Sequence, residues 1–242
     1  MSYKVGCCGD FHGELPVDIP QVDLLIIAGD ICPNSNSYAN NDCNYQSSWV
    51  KGKFIPWLDW AQDRCGHIVG VAGNHDTIFY KQTNSFKKYV KPKMNWHYLQ
   101  DSSIVIDGYK IYGHPWTLNF CNWSFQGSAI DIAIRDNKIP DDVNILVTHG
   151  PPYGIMDMVE NHVHMYDGNE NILREYTGSK SLKEKVNGLT DLKLHVFGHI
   201  HAQGGVQKHW TDEMLAQFVN AGGLDENERP FIRVVELEKN EK

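Results

Sequence analysis

Five short apolar runs punctuate the chain: Lys4–Cys8, Leu24–Ala28, Ile68–Ala72, Ile145–Thr148 and Leu194–Phe197. Their apolar residues are consecutive instead of alternating, which predicts strands covered on both faces. Each run gives way to Gly, Asp, Asn or His. Helix-like patterns lie between them over Trp49–Arg64, Thr77–Val90, Ser128–Arg135 and Ser181–Gly188. Pro56 is expected to start or kink the first of these. Other segments alternate. Ile104–Ile106 and Lys110–Tyr112 flank Asp107-Gly108, a hairpin signal. Val206–Trp210, Leu215–Asn220 and Phe231–Leu237 read in the same way. The whole pattern predicts an α/β fold of two packed mixed β-sheets flanked by helices, in one domain over residues 1–242. Two stretches carry no period, Ile31–Ser48 and Pro151–Gly178. Both read as long loop excursions, and loops of that length are commonly functional. The tail Glu236–Lys242 reads as a frayed end.

Composition narrows the classes. With 242 residues, 41% of them apolar and 21% charged, the chain has material for one sizeable core. No apolar run approaches the ~20 residues of a membrane span, and the opening MSYKVGCCGD lacks the apolar stretch of a signal peptide. Six cysteines form no CxxC pair, so the expectation is a reduced, cytoplasmic protein; a Cys32–Cys43 bridge across a loop stays open. A net charge of -8 argues against a protein that coats long nucleic acids. Histidine is the unusual component, with 12 residues.

The chemistry sits where the apolar runs stop. They lead into Asp10-Phe11-His12, Gly29-Asp30, Gly73-Asn74-His75-Asp76, Thr148-His149-Gly150 and Gly198-His199-Ile200-His201. Carboxyl ends of strands in α/β sheets are where ligands bind. If the strands continue, Asp10 and His12 share a face, as do His199 and His201, and each pair reaches one ion. With His75 and Asp76 set aside, two carboxylates, one amide oxygen and four imidazoles, with no thiolate, suit Mn²⁺, Fe²⁺ or Zn²⁺. That is too many ligands for one tetrahedral zinc. It suits two ions roughly 3.5–4 Å apart that share a carboxylate and clamp a displacement at phosphorus.

DFH, GD, GNHD, THG and GHIH, in this order, resemble the signature of the calcineurin-like metallophosphoesterase family. The likeness runs from residue 5 to about residue 201, and Asn220-Ala221 fits as well. IYGHPWT, HGPPYG and GHIHAQGG resemble the compact, phosphodiesterase-like branch. The resemblance implies a four-layer α/β/β/α sandwich and two divalent metal ions, Mn²⁺ or Fe²⁺ first, Zn²⁺ or Ni²⁺ as alternatives. It implies Asp10, His12, Asp30 and His201 around one ion, and Asp30, Asn74, His149 and His199 around the other, with Asp30 bridging. His75 would face the phosphate as a general acid or cationic stabiliser, and Asp76 could orient it. A water on the ions, its pKa lowered towards ~7, would supply hydroxide at neutral pH. The ions would also turn an acidic protein locally cationic for a small-molecule phosphate ester. The implied activity is phosphodiester hydrolysis on small or nucleotide-like esters. The alternatives are a phosphomonoesterase or protein phosphatase on the same site, and a metal-binding protein-interaction scaffold.

Blander roles suit the other histidines and the aromatic residues. His67, His97, His195 and His209 read as satisfied or surface residues. His114, in GHPW, is a candidate for the pocket rim, and His162 and His164 are either candidate substrate contacts or part of a merely solvated excursion. Met156, Met158 and Met165 either line an apolar wall or pack that loop down. Trp116, Trp123 and Phe125 read as core residues in preference to a base-stacking surface.

Overall fold

Consecutive apolar residues in a strand need apolar neighbours on both sides, and the molecule supplies them in three layers. The computed structural model describes residues 2–34, 43–82, 95–164, 170–210 and 215–239. Its strands are β1 (Ser2–Cys8), β2 (Val22–Ala28), β3 (Cys65–Val71), β4 (Trp96–Tyr98), β5 (Ser102–Ile106), β6 (Tyr109–His114), β7 (Thr117–Leu118) and β8 (Gln126–Gly127). They continue as β9 (Ile145–Thr148), β10 (Met158–His164), β11 (Glu170–Tyr176), β12 (Leu194–Phe197), β13 (Gly205–Trp210), β14 (Leu215–Asn220) and β15 (Arg233–Glu238). The helices are α1 (Cys43–Trp49), α2 (Ile55–Ala61), α3 (Thr77–Lys81), α4 (Ala129–Asp136) and α5 (Lys180–Asn187).

One sheet has the order β15-β1-β2-β3-β4, the other β13-β14-β12-β9-β6-β5. Both are mixed: β1, β2, β3 and β4 run parallel with β15 antiparallel, while β14, β12, β9 and β6 run parallel between antiparallel β13 and β5. Alternation then assigns each residue to a layer. Leu24, Ile26 and Ala28 of β2 meet Ile145 and Val147 of β9 and Leu194 and Val196 of β12 between the sheets. Leu25 and Ile27 point the other way, onto Val50, Phe54 and Leu58. Leu146, Phe197 and Phe218 pack outward on Leu182 and Val186 of α5. The expected pair of mixed sheets flanked by helices is therefore present.

Helix boundaries depart from the pattern in two places. Helical structure begins at Cys43, inside the stretch read as a loop, while residues 35–42 lie outside the described ones. It then passes through a π turn, Val50–Phe54, into α2, where Pro56 occupies the first turn and needs no N–H partner. Trp49 and Phe54, five residues apart across that π turn, stack at 6.1 Å, and Phe54 also stacks on Trp57 at 6.0 Å. Phe54 is fully buried, so Phe54→Ala is expected to cost about 3–5 kcal/mol in urea unfolding. The expected helix over Thr77–Val90 is seen as α3, Thr77–Lys81; residues 83–94 lie outside the described ones.

Pro151–Gly178 also differs from a plain loop, because β10 and β11 pair within it as an antiparallel hairpin. The hairpin joins neither main sheet, and Leu173 and Tyr176 are exposed, so no buried face imposed an alternating pattern. Asp107 and Gly108 both adopt positive φ, 49° and 83°, as a two-residue hairpin turn requires. All six cysteines are free thiols, so Cys32 and Cys43 form no bridge. No described helix is long and apolar enough to cross a membrane.

Candidate metal centre

The parallel strands β1, β2, β3, β9 and β12 all deliver their carboxyl ends to one edge, but the ligand segments do not continue as strands. β1 ends at Cys8 and β12 at Phe197. Asp10, His12, Asp30 and His199 then take φ of 52°, 45°, 50° and 70°, a left-handed conformation uncommon outside glycine. The expected two-residue alternation along Asp10/His12 and His199/His201 is thus replaced by curled turns. Lateral hydrogen bonds hold these turns: Asp10 N–H donates to Gly29 O, His12 N–H to Asp30 O and Gly198 N–H to His149 O, each at 2.9 Å. Strained backbone of this kind persists where its surroundings over-determine it. Gly29 is required for the approach, since at φ 95° its Cβ would stand 2.6 Å from His149 Nδ1.

Among the described residues, three overlapping groups can each hold a cation: Asp10, His12 and His201; His12, Asp30 and His75; and Asp30, His149 and His199. Asp30 is the hub. Its Oδ2 lies 3.3 Å from His149 Nε2, 3.8 Å from His12 Nε2 and 3.9 Å from His75 Nε2. Its Oδ1 accepts from the His75 backbone N–H at 2.8 Å. Asp10 Oδ2 accepts from His199 N–H at 2.9 Å, and His201 Nε2 stands 3.6 Å from Asp10 Oδ1. Asn74 Oδ1 is 2.8 Å from His149 Nε2, and the Nε2 atoms of His12 and His201 are 3.2 Å apart. Asp10, Asp30, Asn74 and His149 form a buried floor, whereas the His201 side chain is 51% exposed at the mouth.

The donor atoms fit a divalent cation on local grounds. His149 Nδ1 lies 2.9 Å from the Ala28 carbonyl, which only accepts, so a neutral ring turns its Nε2 lone pair towards Asn74 Oδ1 and Asp30 Oδ2. Asp10 Oδ1 is buried with no hydrogen-bond partner among the described residues. Electron-rich atoms gathered out of water require a cation or a proton between them. Burial disfavours charge on Asp30, yet facing His149, His75 and His12 hold its carboxyl below the ordinary range. Burial likewise opposes charge on His149, but Asp30 and Asp10 lift it to about 9. His199 drops to about 4 through burial and the charge on His149. The floor favours positive charge, and its oxygen and nitrogen donors match intermediate divalent ions.

His75 flanks the floor, with its backbone carbonyl accepting from Gln46 Nε2 at 2.7 Å. Asp76 does not orient the His75 ring as expected. Its carboxylate accepts from Ile31, Cys32 and Gly73 N–H at 3.1, 2.7 and 2.8 Å, stapling the turn after β2 to the turn after β3. His114 is not at a rim either: it is 1% exposed, and its Nε2 faces Asp136 Oδ1 at 3.3 Å. The backbone of His162 and His164 lies on β10, while their side chains, like Met165, fall outside the described residues. His195 is buried beside Thr148 Oγ1 at 2.9 Å.

One positioning residue escaped the sequence reading. Buried Gln46, which also accepts from Ile78 N–H at 3.0 Å, sits in a stretch with no signal. Asn220, which with Ala221 extends the family likeness, donates to Ile200 O at 3.0 Å and braces the His199–His201 turn. Phe125 packs in the core and Trp116 partly so, but Trp123 lies against His75 with ring centroids 4.3 Å apart.

Known proteins resemble this chain in sequence and in fold. The family model described as calcineurin-like phosphoesterase matches residues 3–203. Metallophosphoesterase domain-containing protein 1 of Homo sapiens is 31% identical over 248 residues, covering 93% of this chain and 67% of its own length. Its Mus musculus counterpart gives the same values, 31% over 248 residues. A solved structure from Thermus thermophilus superposes with a TM-score of 0.57 at 10% identity, covering 96% of this chain and 99% of that one, a likeness of fold.

Proposed function

Since the chain belongs to the calcineurin-like phosphoesterase family, we propose that it is a two-metal phosphodiesterase acting on small or nucleotide-like phosphate esters. The observation that carries this reading is the position of Asp30 Oδ2, common to the His12 side and the His149 side of one buried floor. Asp10, His12, His201 and Asp30 would hold one ion; Asp30, Asn74, His149 and His199 would hold the other. Manganese or iron fits this mixed oxygen and nitrogen set. Bound there, the ions supply Lewis-acid charge and lower the pKa of water to near ~7.

The chain's own groups set the rest of the chemistry. The buried floor excludes bulk water from one side of the phosphate, and the strained turns fix the donors before substrate arrives, so little reorganisation is left for the reaction. His75, tethered through its backbone N–H and carbonyl, presents its ring beside the leaving oxygen, where it can hold or pass a proton. The diester reading follows the likeness of IYGHPWT and HGPPYG to the phosphodiesterase-like branch, and the His201 side chain, 51% exposed, is the part of the ligand set that a second ester substituent would meet.

Hydrolysis of bis-p-nitrophenyl phosphate tests the reading. Protein loaded with Mn²⁺ is expected to turn it over, to prefer it to p-nitrophenyl phosphate, and to lose activity on chelation and regain it on Mn²⁺ addition. Absence of turnover with Mn²⁺, Fe²⁺, Ni²⁺ and Zn²⁺ at full metal occupancy would overturn it in favour of a binding scaffold.

A further inference from the structure

Beside His75 lies an aromatic surface that metal binding does not use. The loop joining β7 to β8 is pinned at its base, where Thr117 N–H donates to Phe125 O at 2.9 Å and Asn119 N–H to Gly127 O at 3.0 Å. It is also tied to the site: Ser124 N–H donates to Asn74 O at 3.1 Å, and Ser124 Oγ to Thr77 Oγ1 at 3.0 Å. Phe125 anchors the loop from below, fully buried against Trp116 at 5.4 Å and Tyr80 at 5.1 Å.

Trp123 does not follow Phe125 into the core. It stays half-buried with its ring tilted 46° to that of His75. Phe120, 76% exposed, meets Trp123 edge-on at 6.1 Å. Exposure of Phe120 contributes nothing to folding, because its apolar surface remains in water. The two rings therefore form an aromatic shelf, held by the same hydrogen bonds that reach Asn74 and adjoining the His75 imidazole, to which the proposed function gives the leaving oxygen.

We infer that Trp123, with Phe120 at its edge, is a specificity-determining residue that selects phosphate esters whose group beside His75 is planar and aromatic, a small aryl ring or a nucleobase. The inference rests on the phosphodiesterase reading for the placement of phosphate on the floor. A phosphate seated there carries its substituent out past His75, where a flat ring can lie on the indole and a short alkyl group cannot. Stacking of a base on an aromatic side chain typically changes affinity by about tenfold or more.

Equilibrium binding to the Mn²⁺-loaded protein tests it without requiring turnover. Phenyl phosphate, adenosine 5′-monophosphate and methyl phosphate are titrated calorimetrically against wild type, Trp123→Ala and Trp123→Phe, with metal content measured for each. Wild type is expected to bind at least one aromatic ligand about tenfold more tightly than methyl phosphate. Trp123→Ala should remove that difference while methyl phosphate binding stays within about twofold, and Trp123→Phe should keep most of it. Which aromatic ligand benefits tells a nucleobase from a small aryl group. Wild type without discrimination, or equal weakening of all three ligands by Trp123→Ala at unchanged metal content, overturns the inference. Failure of the phosphodiesterase reading is separate: no hydrolysis, with aromatic discrimination still present in binding.

Discussion

Asp30→Asn is expected to strip the protein of metal and to abolish phosphodiester hydrolysis. The substitution keeps the shape of the side chain, and the amide oxygen can still accept from the His75 backbone N–H, a bond of 2.8 Å in the wild type. The fold should therefore survive. What disappears is the negative charge that faces His149, His12 and His75 within 3.9 Å. A divalent ion on either side of the hub would lose its shared anionic donor, and neutral nitrogen donors alone compensate poorly for its dehydration. Elemental analysis should show occupancy falling on both sides. Chelation should lower the Tm of wild type, which gains stability from metal binding, and hardly move that of the variant. In metal-free protein, His149 sits at about 9 chiefly because carboxylates offset its burial, so removing Asp30 should bring it down. NMR titration reads this directly. Full occupancy in Asp30→Asn would overturn the bridging assignment.

The second large effect is expected at His75. The geometry alone permits two roles, since its ring belongs to a cation-capable group with His12 and Asp30. The proposed role is to serve the leaving oxygen, so His75→Ala should keep both metals while kcat falls by roughly 10²–10⁴, the range of acid–base catalysis. Alanine retains the bonds that matter for shape, because the contacts to Asp30 and Gln46 are made by the residue 75 backbone. Loss of metal together with activity would make His75 a ligand and remove the assigned role. Asp76 should not share the kinetic phenotype in kind: its carboxylate binds three backbone N–H groups, so Asp76→Ala should lower stability as well as activity.

The five strand-end blocks were legible because two local signals coincide there. An apolar run marks a strand buried on both faces, and an abrupt change to Gly, Asp, Asn or His marks its end. Each signal spans fewer than about ten residues, so chain order alone displays it. Gln46 shows the opposite case. Nothing in Asn44-Tyr45-Gln46 announces a buried side chain, because its partners at Pro33, His75 and Ile78 come from other segments. Asp76 was misread for a related reason. The family resemblance implied an orienting contact to His75, but the tight turn sends its carboxylate to Ile31 and Cys32. The aromatic residues divided in a way that composition cannot show: Phe125 anchors, Trp123 flanks His75, and the two are only two positions apart.

The sequence by itself determined the layered α/β pattern, the family signature and the chemical types of the donor atoms. Those follow from period, punctuation and ligand chemistry, all encoded within short windows. Only the tertiary structure decided which donors face one another, that Asp10, His12, Asp30 and His199 reach the site on left-handed turns, and that His114 is buried while Trp123 lies by the site. The physical reason is that convergence depends on how two sheets pack and where lateral hydrogen bonds pull each turn. Those forces act between segments far apart in the chain, 189 residues in the case of Asp10 and His199, and no local pattern records them.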